Sequence, residues 1–247
     1  MTTSTPSPDQ FPLHTVDVEV ATVWTSPDAP RPVDTPALAD VPDLQSWTRQ
    51  LSSEYRLGLH GRTLTQLVRD EPALLLEERG DWARVAAPWQ PAPMDSRGYP
   101  GWVRRAHLSS TATGEIGRPV PAIEPEPEVI AGYARQFLGL RYLWGGTSPW
   151  GLDCSGLVHS AYRRAGIVIP RDASAQHAAA IGIPLGRERP GDLYFFARSG
   201  AGVHHVGFVT DRWQLLHAPE DGGVIEDSPL TEARRGQLVA AGRFFDR

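Results

Sequence analysis

A proline-rich stretch in the middle of the chain constrains its fold more than any other feature. Residues 111–127 contain two glycines and four prolines. Because proline lacks a backbone N–H and fixes φ, repeated prolines exclude a regular helix or a central strand here. We therefore predict a linker over 111–127 between two domains, at residues 15–110 and 128–247. In a chain of 247 residues, each is long enough to bury a core.

The first domain has the pattern of a small β-barrel. Short β-like runs alternate with turn signals such as Gly80-Asp81 and Arg97-Gly98, which predicts several short strands. Apolar residues at helical spacing between positions 43 and 55 predict a helical insertion. Residues 1–14 are rich in Thr, Ser and Pro, so we predict a disordered arm there.

The second domain has helical patterns first and strand patterns afterwards. Residues 128–138 and 153–165 have helical spacing, with Gly166 as a stop signal for the second helix. Residues 192–196, 205–210 and 213–216 have the pattern of strands. This order predicts an α+β domain in which helices pack on an antiparallel sheet.

Composition excludes several classes of partner and location. A net charge of -5 argues against a surface that binds nucleic acid. The sequence has no run of 18 apolar residues, so we predict no membrane span. The first 30 residues have no basic residue and no apolar segment of the secretory type, which predicts a cytoplasmic protein, although a secreted chain without its signal would look similar. The single cysteine excludes an internal disulfide and a four-thiolate zinc site.

That single cysteine, Cys154, has the local sequence of a nucleophile. Asp153 is a candidate N-cap, which places Cys154 in the first turn of a helix. The positive end of the helix dipole would favour the thiolate, which is the attacking form of cysteine. The alternative is a buried structural thiol, but flanking Asp, Ser and Gly are not the apolar neighbours that a core cysteine prefers.

Two histidines on adjacent predicted strands are candidates for its base and the group that orients it. His205 begins one strand and His217 ends the next. A three-residue loop between the strands would place both on one face opposite the open space at Gly207, whereas a two-residue loop would separate them. We assign His205 as general base and His217 as its orienting partner. A core or zinc-binding pair is the alternative. Without a nearby acidic ligand or an HxxxH pattern, we expect no metal.

Six segments in order resemble the NlpC/P60 cysteine peptidases. They lie at residues 142–146 (Tyr-Leu-Trp-Gly-Gly), 153–158 (Asp-Cys-Ser-Gly-Leu-Val), 170–176, 189–195, 205–208 and 217–218. The resemblance implies a papain-like fold for the second domain. Segments 65–71, 80–85 and 98–103 resemble the bacterial SH3 (SH3b) module, which implies an SH3-like barrel for the first domain.

The combination of the two domains resembles the γ-D-glutamyl-L-diamino acid endopeptidases. The resemblance implies a substrate, a small peptidoglycan peptide with a free N-terminal L-alanine, and no cofactor. It also implies residue roles: Tyr142 and Asp153 bind the alanine ammonium, with Glu71 and Tyr99 from the SH3b domain closing that end of the groove. The residues implied to line the D-glutamate side are Ser155, Arg171, Asp172 and Ser174.

Two departures and three alternative functions accompany this resemblance. Asp70 replaces a common glycine and Ala173 a common serine. A cytoplasmic enzyme that needs a free amine suits recycling of released wall peptides. The alternatives are a wall-remodelling hydrolase, an amidase on the same fold, and a protein that only binds peptidoglycan through its SH3b domain.

Overall fold

The computed structural model describes residues 11–51, 58–109, 116–220 and 223–245. Contacts between Cα atoms divide the chain into two compact units, one of Met1–Gln50 and Gly61–Gly117 and the other of Leu51–His60 and Arg118–Arg247. The division after Gly117 lies inside the predicted linker. Leu51–His60 was predicted to belong to the first domain but groups with the second unit, where the ring centroids of His60 and Trp144 lie 3.9 Å apart.

Six antiparallel strands form the sheet of the first unit. They are β1 (Leu13–Thr15), β2 (Val20–Trp24), β3 (Thr63–Val68), β4 (Pro72–Arg79), β5 (Trp82–Ala87) and β6 (Tyr99–Arg104). Their order across the sheet is β1-β4-β5-β6-β2-β3. One face packs into an apolar core that includes Val23, Leu67 and Val85. An SH3-like module stays a prediction for this unit.

The end of the predicted disordered arm is instead a strand. Leu13 pairs with Leu74 of β4, and His14 is buried, with its Nδ1 2.7 Å from the carbonyl oxygen of Ser109. The prediction of disorder to residue 14 is therefore wrong for residues 13 and 14, because this strand depends on a distant partner. Residues 1–10 lie outside the described part of the chain.

The predicted helical insertion lies between β2 and β3. Its predicted range contains α2 (Leu44–Gln50), which ends earlier than expected, and a short helix that was not predicted, α1 (Thr35–Leu38), precedes it. Residues 52–57 lie outside the described residues. The indole Nε1 of Trp47 donates a 2.9 Å hydrogen bond to the buried carboxylate of Asp34, which also receives the Arg31 guanidinium. The pKa of Asp34 is lowered because these donors outweigh the effect of its burial.

The second unit confirms the predicted α+β architecture. Its helices are α3 (Pro127–Arg135), α4 (Cys154–Arg164), α5 (Ala173–Ala179) and α6 (Glu232–Arg235). Its strands are β7 (Thr147–Ser148), β8 (Gly151–Leu152), β9 (Ile181–Ile183), β10 (Leu193–Ala197), β11 (Val203–Asp211), β12 (Gln214–His217), β13 (Glu226–Pro229) and β14 (Leu238–Arg243). Six of these strands form an antiparallel sheet in the order β13-β12-β11-β10-β14-β9.

Helix α4 is buried along most of its length against this sheet. Every residue from Cys154 to Tyr162 is buried, and the Tyr162 ring stacks on Phe208 of β11 with centroids 6.2 Å apart. Truncation of a buried aromatic such as Phe208 costs about 3–5 kcal/mol in folding stability. This packing holds α4 against β11.

Gly166 ends α4 in the left-handed conformation, as the sequence predicts. Its φ is +74°, and a Cβ there would lie 2.7 Å from a Pro121 side-chain carbon. The backbone N–H of Ala122 donates to the carbonyl of Arg164. This part of the predicted linker therefore packs against the second unit.

Among the residues described, no helix combines the length and apolar character needed to cross a membrane.

Candidate active site

Cys154 begins helix α4, as the capping pattern predicts. The Asp153 side chain accepts a 2.6 Å hydrogen bond from the backbone N–H of Gly156, the expected N-cap geometry. Cys154 is 5% exposed, and its thiol donates a long 3.9 Å contact to the carbonyl oxygen of His204. The thiol thus lies at the junction of a helix start and strand β11.

The hairpin of β11 and β12 places the two histidines on one face. Val209 pairs with Leu215 but Asp211 pairs with Gln214, so Thr210 is an extra residue in β11. Such a bulge shifts the register by one residue. The turn between Asp211 and Gln214 has two residues, but together with the bulge it gives the strand register that we expected from a three-residue loop. The prediction that His205 and His217 share a face is confirmed, by a route that the sequence did not indicate.

The two imidazoles are in direct contact. His205 Nε2 lies 2.9 Å from His217 Nδ1, and the rings are perpendicular. Both residues are buried, at 1% and 2% exposure. His205 Nδ1 has no hydrogen-bond partner among the residues that the structure describes, so this nitrogen is the one available to the thiol.

The sulfur lies beside this imidazole. Cys154 Sγ, a ring nitrogen of His205 and a carboxylate oxygen of Glu220 all lie within 4.8 Å of one another. The imidazole is thus near enough for the contact with the thiol to tighten when substrate binds, as catalytic contacts often do. The only cysteine, Cys154, therefore lies near the imidazole of His205, as the sequence predicts.

Burial controls the charge state of this pair. Burial raises the pKa of the Cys154 thiol, the carboxylates of Asp153 and Glu220 raise it further, and two backbone N–H groups only partly oppose them. Burial also holds the pKa of His205 well below its usual range, with His217 adding to the effect. These pKa directions favour a neutral thiol beside a neutral imidazole. For Cys154 the direction is opposite to the one that its position at a helix N-terminus predicts, because desolvation is the largest contribution.

Asp153 and Arg171 form a buried ion pair behind the nucleophile. Arg171 donates to both carboxylate oxygens of Asp153, at 3.0 and 2.6 Å, and to Ser155 Oγ at 2.9 Å. The Asp153 carboxylate also accepts from the backbone N–H of Gly145. Arg171 is 1% exposed. The sequence did not predict its ion pair with Asp153.

The other predicted residues of the second unit lie at different depths. Tyr142 is buried, and its pKa is raised first by burial and then by the nearby charges of Cys154, Asp153 and Glu220. Asp172 caps α5 by position without a side-chain capping bond, and Ser174 in that helix is exposed. The structure therefore brings Tyr142, Asp153, Ser155 and Arg171 around the nucleophile.

Glu71 and Tyr99 belong to the first unit, where both are buried. The Glu71 carboxylate accepts hydrogen bonds from the Val68 backbone N–H and from Gln90 Nε2. Asp70 has a left-handed φ of 65°, a conformation that favours glycine but that Asp tolerates. This explains why Asp can replace the common glycine. The substrate roles of Glu71 and Tyr99 stay predictions.

Two residues at the site were not found from the sequence. Glu220 lies beside the sulfur and the imidazole, and also pairs with Arg198 at 3.4 Å. Gln176 is fully buried and donates from Nε2 to the carbonyls of Ser155 and Pro170. The position of Glu220 three residues after His217 was a usable signal. The role of Gln176 depends on tertiary contacts between α4 and the start of α5.

One group of side chains in the described residues has a spacing that a metal ion could use. It consists of Cys154, His205 and Glu220, which offer sulfur, nitrogen and oxygen. These are ligand types that zinc accepts. The same atoms can act without a metal as nucleophile, base and adjacent charge.

Comparison with known proteins gives a consistent result. The model of the NlpC/P60 family matches residues 139–243. A protein named gamma-D-glutamyl-L-lysine dipeptidyl-peptidase from Bacillus subtilis is 35% identical, with 94% of this chain and 99% of that protein covered. A protein of the same name from Bacillus cereus is 27% identical, with 87% of this chain and 85% of that protein covered.

The fold agrees with a solved structure over nearly its whole length. The crystal structure of an NlpC/P60 family protein from Bacillus cereus superposes with a TM-score of 0.86 and 25% identity, covering 94% of this chain and 99% of that one. Sequence similarity, fold and the Cys154–His205 geometry all agree. The chain therefore belongs to the NlpC/P60 family.

Proposed function

We propose that this protein is a cysteine endopeptidase that hydrolyses the bond between γ-D-glutamate and a diamino acid. Its substrates are small peptidoglycan peptides with a free N-terminal L-alanine. The observation that carries the proposal is the Cys154–His205–His217 arrangement at the start of α4. The names of the two Bacillus relatives, which match nearly end to end, support the choice of bond.

Catalysis begins from the neutral pair. As Cys154 Sγ attacks the γ-glutamyl carbonyl carbon, His205 Nδ1 takes the thiol proton, so the thiolate exists only during attack. The imidazolium returns this proton to the departing amine of the diamino acid, leaving a thioester on Cys154. Water then attacks the thioester, His205 takes its proton, and the thiol is regenerated with release of the free γ-carboxylate.

The start of α4 supplies the electrostatic support for this reaction. The backbone N–H of Cys154 belongs to the first helical turn, where N–H groups have no intrahelical acceptor. We assign it to the oxyanion of the tetrahedral intermediate. The Tyr142 hydroxyl is the proposed second donor, because Tyr142 lies close enough to the nucleophile for their charges to interact.

The carboxylate of Asp153 and the guanidinium of Arg171 suit a substrate that has both an ammonium group and a carboxylate. Asp153 and Tyr142 are proposed to bind the alanine amine, and Ser155 the D-glutamate side. Arg171 acts through Asp153 and Ser155, since its buried guanidinium holds both in place. Asp172 and Ser174 at the start of α5 are proposed on the D-glutamate side. The first unit, which contains Glu71 and Tyr99, is proposed to be an SH3b module.

Product analysis tests the proposed bond and the amine requirement. The protein is incubated with L-Ala-γ-D-Glu-L-Lys, its diaminopimelate analogue and the N-acetylated forms of both, and products are identified by mass spectrometry. We expect L-Ala-γ-D-Glu plus the free diamino acid from the free-amine peptides, and little turnover of the acetylated ones. Release of free alanine would show cleavage of the L-Ala–D-Glu bond and contradict the proposed bond, and equal turnover of acetylated peptides would contradict the amine site.

A role in recycling of released wall peptides follows from the amine requirement. Peptides still attached to glycan have an acylated alanine, so an enzyme that needs the free amine acts after their release. Incubation with intact wall tests this role. Release of soluble peptides from the wall would instead support a remodelling hydrolase.

A further inference from the structure

The base His205 can work only in one of its two neutral tautomers. To accept the thiol proton, His205 Nδ1 must carry a lone pair, so its proton must lie on Nε2. That proton then points at His217 Nδ1, 2.9 Å away. His217 Nδ1 must in turn accept, which requires the His217 proton to lie on Nε2.

A contact between two imidazoles does not by itself select this state. If His217 carried its proton on Nδ1, it would donate to His205 Nε2, and His205 would then hold its proton on Nδ1. This second state has an equally good contact between the rings, but its base is already protonated at the nitrogen that should take the thiol proton. Some group at the far nitrogen of His217 must decide between the two states.

An acidic residue lies at that nitrogen. Glu226 is directly opposite His217 in the pairing of β12 with β13, and its Oε1 lies 3.3 Å from His217 Nε2. An ionised carboxylate can accept a hydrogen bond but cannot donate one, so it favours the His217 tautomer that has its proton on Nε2. The Ser228 hydroxyl donates to the same oxygen at 3.0 Å, which helps to orient the carboxylate.

We propose that Glu226 is a positioning residue that sets the proton order from His217 to His205 and thereby leaves His205 Nδ1 free to deprotonate Cys154. It does not touch the sulfur. This order of protons requires a lone pair on His205 Nδ1, and that atom has no hydrogen-bond partner among the described residues. The inference rests on the catalytic roles proposed for His205 and His217, and it adds a fourth member to that group.

The surroundings make this contact testable without loss of the fold. Glu226 is 48% exposed at its side chain, whereas His217 is 3% exposed. Both residues border a cavity of about 500 Å³ together with Arg234. Substitution at Glu226 therefore removes little packing, and its effect on turnover comes through His217.

Two substitutions of Glu226 distinguish its role as a hydrogen-bond acceptor from the effect of its negative charge. Glu226→Leu removes every acceptor, whereas Glu226→Gln keeps a carbonyl oxygen that can still receive the His217 proton. We expect kcat to fall about 10-fold in the Leu variant and less in the Gln variant, with KM unchanged in both. Glu232→Gln, an exposed acidic residue of α6, is the matched control and should keep wild-type kcat.

Nitrogen NMR of ¹⁵N-histidine-labelled protein reads the tautomer without substrate. We expect His205 with its proton on Nε2 in the wild type and a mixture of both tautomers in the Leu variant. An unchanged tautomer in Glu226→Leu, or a wild-type kcat for that variant, would overturn the proposal. Because the spectrum needs no turnover, it can decide the point even if γ-D-glutamyl peptides prove not to be substrates.

Discussion

Cys154 and its neighbours illustrate how local burial reverses an expectation from sequence. A cysteine at a helix N-terminus beside a histidine predicts a low thiol pKa, yet here the pKa is raised because the sulfur is desolvated and two carboxylates lie near it. The chemistry does not require a resting thiolate, since His205 is also neutral and can take the proton during attack. The residue type and position of Cys154 were readable from the sequence, whereas its pKa shift comes first from burial in the assembled domain and then from the nearby carboxylates of Asp153 and Glu220.

Glu220 provides a test of this charge balance. We expect Glu220→Gln to lower the Cys154 thiol pKa, since it removes a nearby negative charge, and to raise the rate of iodoacetamide labelling at pH 8 about five-fold, on the order of 1 kcal/mol. Cys154 is the only cysteine, so labelling reports this thiol alone. High salt should reduce the difference. Slower labelling in the variant than in a Glu232→Gln control would show that the sign is wrong.

The hairpin of β11 and β12 is the element on which the histidine pair depends. Gly207 lies opposite His217 in this register, and a Cβ there would lie 2.8 Å from His217 Cβ and 2.8 Å from the carbonyl oxygen of Leu216. No larger residue fits without movement of β12. The glycine therefore permits the close approach of the two strands beside the imidazoles.

Gly207→Ala tests this requirement. We expect the added methyl group to push His217 away from His205 and to lower kcat at least 10-fold, with a melting temperature lower by a few degrees. Gly202→Ala is the control, because a Cβ at Gly202 meets nothing within 4 Å. A Gly207→Ala enzyme with wild-type kcat would mean that the His217 position is not critical.

Elements with strong local patterns were predictable, and those defined by a distant partner were not. Strand β3 at Thr63–Val68 and helix α4 follow from apolar periodicity and capping. Strand β13, Glu226–Pro229, has no apolar alternation and exists because it pairs with β12. The sequence therefore indicated Cys154, His205 and His217, whereas Glu226, the bulge at Thr210 and the Asp153–Arg171 pair required the assembled sheet and helix.

At the scale of the whole molecule, buried neutral histidines link stability to pH. Burial lowers the pKa of His107 in the first unit and of His159 and His205 in the second. These groups stay neutral when folded, while the unfolded chain binds protons below about pH 6.5. Stability is therefore fully present above pH 6.5 and is lost as pH falls toward the depressed folded values.

We expect the melting temperature to fall between pH 7.5 and pH 5.5, before most carboxylates titrate. Each such histidine contributes a slope of up to about 1.4 kcal/mol per pH unit, and only below about pH 6.5, where the unfolded chain binds the proton that the folded chain does not. His159→Gln, which removes one titrating group from the second unit, should flatten the pH dependence. A melting temperature that stays constant or rises over this range would contradict the assignment of neutral buried histidines.

The most direct test of the account is turnover of L-Ala-γ-D-Glu-L-Lys by wild type, Cys154→Ala and His205→Ala. The wild type should release lysine, and both variants should lose at least about 10³-fold in kcat while keeping a cooperative melting transition, because each removes one partner of the proton transfer. Lysine release by folded Cys154→Ala at a rate near that of the wild type would contradict the central claim.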